Sequence, residues 1–269
     1  MKKPLILITN DDGIYSPGLR AVVEAVVDLG ELLIVAPASQ QTSMGRSFPK
    51  GLDVGIIEKV RFTIDSTEII AYAVHGSPAQ AVSHGVLELC DRKPDLCISG
   101  INYGVNLGLS ITCSGTLGAA FEADSHGIPS IAISRQVDLD FQHSDDFAKL
   151  DWKACKHITR HMTKQVLESG FPEGVSILNI NVPEGAKPTT EVRLTMQGRH
   201  NYSSFIIPES RDFSKSFKFK SRIDLTIDDI DRNSDIFAIV FDKVISITPL
   251  TWNLSVNIDT DLKGSLYEK

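Results

Sequence analysis

Two adjacent aspartates, Asp11 and Asp12, follow directly on the apolar run LILIT (5–9), with only Asn10 between. Neighbouring carboxylates repel, and beside a buried strand at least one resists ionisation unless a cation offsets the charge. Mg²⁺ or Mn²⁺ prefers oxygen donors. Two carboxylates, the Asn102 amide oxygen and a hydroxyl from Thr42 or Ser43 would form a suitable partial shell, completed by water. A second reading is that Asp11 or Asp12 only caps the turn before the next helix, as Asx turns at strand ends do. Farther along, GINYGVNLG (100–108) sets Asn102 and Asn106 between three glycines, so its backbone can approach a ligand closely or simply turn. Ser114-Gly115-Thr116 opens a helix whose free amides, dipole and two hydroxyls suit a phosphate, while Ser114 alone suits an N-cap.

These residues need a scaffold that brings them to one edge. LILIT (5–9), LLIVA (32–36), LCIS (96–99) and IAIS (131–134) are continuously apolar rather than alternating, the pattern of parallel strands covered on both faces. Between the first two, Ser16 and Pro17 start a helix with Leu19, Val22, Val23, Val26 and Val27 on one stripe, and Gly30 is expected to close it. Further helices are expected at about 78–89, 115–126 and 146–169, with another strand at SILNINV (176–182). The order predicts an α/β fold, a three-layer α/β/α Rossmann-like and mostly parallel sheet with right-handed crossovers. Such sheets bind ligands beyond the carboxyl ends of their strands, where the loops named above converge. The division expected is a catalytic core over 1–184 and a β-rich arm and C-terminal segment over 185–269, serving oligomerisation, with some strands returning to the core.

Composition narrows the classes. Net charge is −7 with 27 Lys and Arg against 34 Asp and Glu, which argues against nucleic acid or an acidic membrane as the main partner. The basic-aromatic strip RDFSKSFKFKSR (211–222) reads as an exposed hairpin arm or subunit contact rather than a nucleic-acid surface. Cys90, Cys97, Cys113 and Cys155 lack zinc-site spacing and are read as reduced packing residues. No apolar stretch approaches the ~20 residues of a bilayer span, so the expected address is the cytoplasm. His157 and His161 lack the glutamate of a zinc-protease helix and are expected to face solvent, and His75 is given a structural role. P-loop, dinucleotide and serine-hydrolase signatures are missing.

The segments ITNDDGIYSPG, VAPASQQTSMGRS, HGSPAQAV, CISGINYGVNLG, CSGTLGAAFEA, LNINVP and VISITPL, in this order and spacing, resemble the survival protein SurE family, most closely over 5–135. The resemblance implies a metal-dependent 5′-nucleotidase acting on nucleoside monophosphates, with 3′-nucleotidase and exopolyphosphatase activity in some members. It also implies one divalent ion per subunit, held by Asp11, Asp12, Asn102 and Thr42. Thr42 stands where the family has serine, with Ser43 the alternative. Asn106, Ser114, Gly115, Thr116 and Ser43 would bind substrate, and the arm and C-terminal segment would join a homodimer or homotetramer. Gln80 replaces an aspartate of the family pattern, and Gln41 a basic residue. Two rivals fit less well. A haloacid-dehalogenase-type phosphatase would place its nucleophile at Asn10, and a phospho-acceptor receiver module needs an Asp where the third strand leads into Gly100-Ile101-Asn102; another acid phosphatase of broad specificity is the further alternative.

Overall fold

The computed structural model describes residues 2–64, 67–139, 147, 149–217, 219–223 and 225–255. Five strands lie where the apolar runs place them: β1 (Leu5–Thr9), β2 (Glu31–Pro37), β5 (Leu96–Tyr103), β6 (Ser130–Arg135) and β7 (Ile177–Val182). They pair in parallel in the order β2-β1-β5-β6-β7. Alternate residues of β1 serve opposite faces. Ile6 and Ile8 pack with Leu19, Val22 and Val26 of α1 (Pro17–Val26) and with Ala154 and Ile158 of α4 (Lys153–Ser169). Leu5 and Leu7 pack with Ala81 and Val82 of α2 (Pro78–His84) and with Ala119 and Ala123 of α3 (Gly115–Ser125). Each fully buried Ile or Leu contributes about 2 kcal/mol, and burial on both faces explains why β1 lacks polar alternation.

The expected three-layer, mostly parallel fold is therefore present, with several boundaries revised. A hairpin of β3 (Ile57–Ile64) and β4 (Thr67–Val74) extends the sheet beyond β2, with β3 antiparallel at the edge. Its half-exposed strands carry too many charges for a continuous apolar run. Helix α1 ends at Val26 and is capped at Val27, short of Gly30, because the chain turns immediately to enter β2. Helix α4 starts at Lys153 rather than 146. Leu150 precedes it, residues 146 and 148 lie outside the described set, and Phe147 packs instead against Tyr103, with ring centroids 5.0 Å apart and planes tilted by 50°. Past α2 the chain continues as one wider π-helical turn, Gly85–Leu89, completing the span expected at 78–89.

After residue 184, β8 (Val192–Leu194) and β11 (Ile245–Leu250) continue the main sheet beyond β7, giving the order β3-β4-β2-β1-β5-β6-β7-β11-β8. Strands β9 (Ser203–Ile206) and β10 (Lys220–Ile223) form a separate antiparallel pair at the basic-aromatic strip, whose Lys218 lies outside the described residues. Residues 256–269 of the C-terminal segment also lie outside them. A short helix, α5 (Asp235–Val240), is an addition in a region where little helical periodicity is legible; six residues are too few to show it. Of the cysteines, Cys97 and Cys155 are buried and Cys90 half-buried, but Cys113 is exposed and does not serve packing. No helix among the described residues is long and apolar enough to cross a membrane.

Candidate functional site

The strand order reverses at β1, whose neighbours β2 and β5 lead their loops in opposite directions. At this reversal Asp11 and Asp12 sit on a tight turn, both only 4% exposed. Asn10 builds the turn: its Oδ1 accepts from the Gly13 amide at 3.2 Å, and its Nδ2 donates to the Gly13 carbonyl at 3.0 Å and to Ser16 Oγ at 2.9 Å. Ser16 Oγ also accepts from the Leu19 amide, capping α1. Strand end, carboxylates and helix start thus form one hydrogen-bonded unit. Replacing Asn10 by Ala strands the buried Gly13 amide and takes one bond each from the Gly13 carbonyl and Ser16 Oγ, which should cost about 2 kcal/mol. Denaturant unfolding checks this, and an unchanged midpoint would contradict it.

The carboxylates are held from different sides. Asp11 Oδ1 accepts from the Thr116 hydroxyl at 2.7 Å, and its backbone carbonyl accepts from the Gln41 amide at 2.7 Å. Asp12 accepts from the Tyr103 amide at 3.0 Å and from Gln40 Nε2 at 3.2 Å. The capping-turn reading does not describe these contacts, since the turn is made by Asn10. Burial, then the charge of Asp12, pushes Asp11 up to about 7 against its hydrogen bonds from Thr116. Asp12 is raised as well, chiefly by burial. A group raised in the fold is protonated there while ionised in the unfolded chain. Stability therefore falls as pH rises from about 4 to about 7. In thermal melts, protein stripped with EDTA should be more stable near pH 5 than near pH 7.5, and Mn²⁺ should recover the loss at the higher pH. A melt rising steadily towards pH 7.5 without metal would refute this.

A cleft of about 510 Å³ opens over Asp11. Thr42, Ser43, Asn102, Asn106 and Ser114 all line it with Asp11. Ser43 is the more exposed of the two hydroxyl candidates and has a left-handed backbone, φ 63°. Asn102 spends its Nδ2 on the Gly104 carbonyl at 2.6 Å, leaving its oxygen as the end available to a cation. Asp12, Gly115 and Thr116 stand outside the lining; the Thr116 hydroxyl is spent on Asp11. Ser114 caps α3 by accepting from the Leu117 amide. A Cβ on Gly115 would lie 2.8 Å from Asp11 Oδ2, so only glycine lets the first turn of α3 approach the carboxylate this closely. The donors facing the cleft are hard oxygens, the Asp11 carboxylate among them with Asp12 next to it in the turn, a set that fits Mg²⁺ or Mn²⁺.

Several residues that support the site are not among the candidates read from the sequence. Asn106 donates its amide to Asn181 Oδ1 at 2.8 Å and its Nδ2 to Ser134 Oγ at 2.8 Å, while its carbonyl accepts from Asn179 and Asn181. Asn179 and Asn181 are fully buried at alternate positions of LNINV, a spacing that could have marked them. Asp235, at the start of α5, accepts from the Gly108 and Gly198 amides and fixes the end of the 100–108 loop; burial raises its carboxyl. The outer wall of the cleft comes from the arm, through Tyr202, Ser204, Phe205 and Ser221. Cys113 also lines it.

Other candidates are accounted for locally. His157 and His161 are exposed, and His75 pairs with Glu58 at 2.8 Å. Gln80 forms a capping box with Ser77 and donates to the Pro49 carbonyl, so it braces a loop.

The profile of the survival protein SurE family matches residues 6–204. The chain belongs to this family. A protein of Methanocella arvoryzae named 5′-nucleotidase SurE is 41% identical over 258 residues, covering 93% of this chain and 92% of its own. The 5′-nucleotidase SurE of Methanothermobacter thermautotrophicus is 45% identical over 203 residues, 75% of this chain and 76% of its own. The crystal structure of the SurE protein from Aquifex aeolicus is 29% identical, with a TM-score of 0.73 over 98% of this chain and 99% of that one. That SurE structure and the present fold share their architecture across almost the full length of both chains.

Proposed function

We propose that the protein is a divalent-metal-dependent 5′-nucleotidase that hydrolyses nucleoside monophosphates to nucleoside and phosphate. One observation carries the metal part: the buried Asp11 carboxylate, repelled by its neighbour Asp12, faces a cleft lined by neutral oxygen donors. The names of the SurE relatives support the reaction class. Asp11, Asp12, Asn102 and Thr42, or Ser43 in its stead, would hold one Mg²⁺ or Mn²⁺ ion. When bound, the ion supplies charge neutralisation and a water activated for attack on phosphorus.

The chain's own groups position the phosphate. Ser114 spends its hydroxyl oxygen on the helix cap, so its proton can point to the cleft, beside the Gly115 amide at the positive end of the α3 dipole. Asn106 retains one Nδ2 hydrogen for a phosphate oxygen after bonding Ser134. Thr116 holds Asp11 in place. Such a site works by positioning and charge neutralisation, as phosphoryl transfer demands.

Activity on 3′-nucleotides and polyphosphate belongs to the same proposal, as does a homodimer or homotetramer. Assembly is supported by the arm, where Phe205, Ile207 and Phe213 are exposed; a size measurement showing monomer alone would contradict it. The deciding experiment screens nucleoside mono-, di- and triphosphates against Mg²⁺, Mn²⁺ and other ions with an EDTA control. Release of phosphate from AMP or GMP that EDTA abolishes is the expected result. Stable phosphorylation of the protein by a small phosphodonor, without turnover, would favour the receiver module instead.

A further inference from the structure

Thr42 and Ser43 form no hydrogen bond that would fix them from within their own loop, so their place over Asp11 is set by what grips the loop on either side. Upstream, Gln41 and Gln40 hold the Asp11 carbonyl and the Asp12 carboxylate. Downstream, the loop lies against α3. The Gly45 amide donates to the Cys113 carbonyl at 3.0 Å, and a Cβ on Gly118 would overlap the Gly45 carbonyl. The next residue, Arg46, reaches Glu122 on α3, with Nε to Oε2 at 2.7 Å. The Glu122 side chain is 5% exposed, and its other oxygen accepts from Ser83 of α2 at 2.6 Å and pairs with His126 at 3.1 Å. The Arg46 guanidinium also lies 5.1 Å from the Trp252 ring centroid, and Trp252 packs on Phe121, the neighbour of Glu122.

We infer that Glu122, acting through Arg46, is a positioning residue that clamps the hydroxyl loop onto α3 and thereby sets the reach of Thr42 and Ser43 towards the carboxylates. A carboxylate this buried needs full pairing, and it has three partners on three separate segments: α2, its own helix and the loop. Of the three, Arg46 belongs to the loop that carries Thr42 and Ser43. The same helix presents Gly115 and Thr116 to Asp11, so the clamp ties both halves of the site to one rigid element. The inference rests on the metal site proposed above.

The test compares Glu122→Gln, Arg46→Met and Arg46→Lys with the parent protein. Arg46→Met keeps the aliphatic stem and the Ser83 and His126 contacts of Glu122, and Arg46→Lys keeps a cation beside the buried carboxylate, so the clamp stays testable if Glu122→Gln does not fold. In Arg46→Met, amide hydrogen exchange at residues 43–47 should speed up about tenfold while amides of β1 and α1 keep their rates. The Mn²⁺ concentration for half-maximal phosphate release from AMP should rise about tenfold, with kcat at saturating Mn²⁺ changed less than about threefold. Arg46→Lys should recover little of either, because an ammonium cannot match the oriented Nε contact. Unchanged exchange at 43–47 would overturn the clamp, and faster exchange with an unchanged Mn²⁺ requirement would overturn its positioning role. If the parent protein releases no phosphate with any metal, the proposed function fails while the exchange measurement still decides the clamp.

Discussion

Replacing Asp11 or Asp12 by Asn should reduce metal-dependent phosphate release from AMP or GMP at least about a thousandfold, roughly 4 kcal/mol of transition-state stabilisation, with the fold retained. Retention follows from the geometry. An Asn at position 11 can still accept from Thr116 through its oxygen, and one at position 12 can still accept from Tyr103 or Gln40. The substitution also removes one of two repelling buried charges, so metal-free protein should gain stability near neutral pH. Loss of activity with an equal or higher melting temperature separates a chemical role from a structural one. Near-normal turnover in both variants would end the metal assignment.

The second large effect is expected at Gly115, which has no charge and no side chain. A Cβ there would lie 2.7 Å from the Asp11 Cβ and 2.8 Å from Oδ2. Either the carboxylate or the first turn of α3 must shift by several tenths of an ångström. Asp11 has little freedom to yield, since Thr116 and Gln41 hold it from opposite sides. Gly115→Ala should therefore cost about a hundredfold in kcat/KM, because small misplacements at a positioning site are expensive. Stability should fall only modestly, since alanine favours the helix more than glycine does. Metal titration by calorimetry would show whether the loss lies in binding or in turnover, and wild-type kinetics in the variant would show that the close approach is incidental.

The parts of this molecule that were legible in its sequence share one property: local residues determine them. Strands β1, β2, β5 and β6 are buried on both faces and so appear as almost unbroken apolar runs. Ser16, Ser77 and Ser114 cap helices through contacts three residues away. What escaped depends on long-range partners. The Arg46–Glu122 pair spans 76 positions, and Asn179 reaches Asn106 across 73; local patterns can mark a single end, as the glycine-rich loop marks Asn106, but not the pairing. The hairpin of β3 and β4 escaped for another reason, because as an edge it exposes Glu58, Lys59 and Glu68 and so lacks the uniform apolar signature. The carboxylates were visible as a pair, but the oxygen environment that makes them a site required the converging loops.

The arm has a consequence for how such a protein can change over time. Among the described residues its strands β9 and β10 pair only with each other, yet the arm walls the outer side of the cleft with Tyr202, Phe205 and Ser221. The floor of the cleft, with Asp11 and Ser114, is fixed by the buried sheet and helix α3. Under the proposed placement of the phosphate over Asp11 and Ser114, mutations in the arm can reshape what the leaving group meets without shifting the register of any strand in the main sheet. Selection can therefore alter the wall and preserve the floor, letting preference for one nucleoside over another drift while the hydrolytic chemistry stays constant.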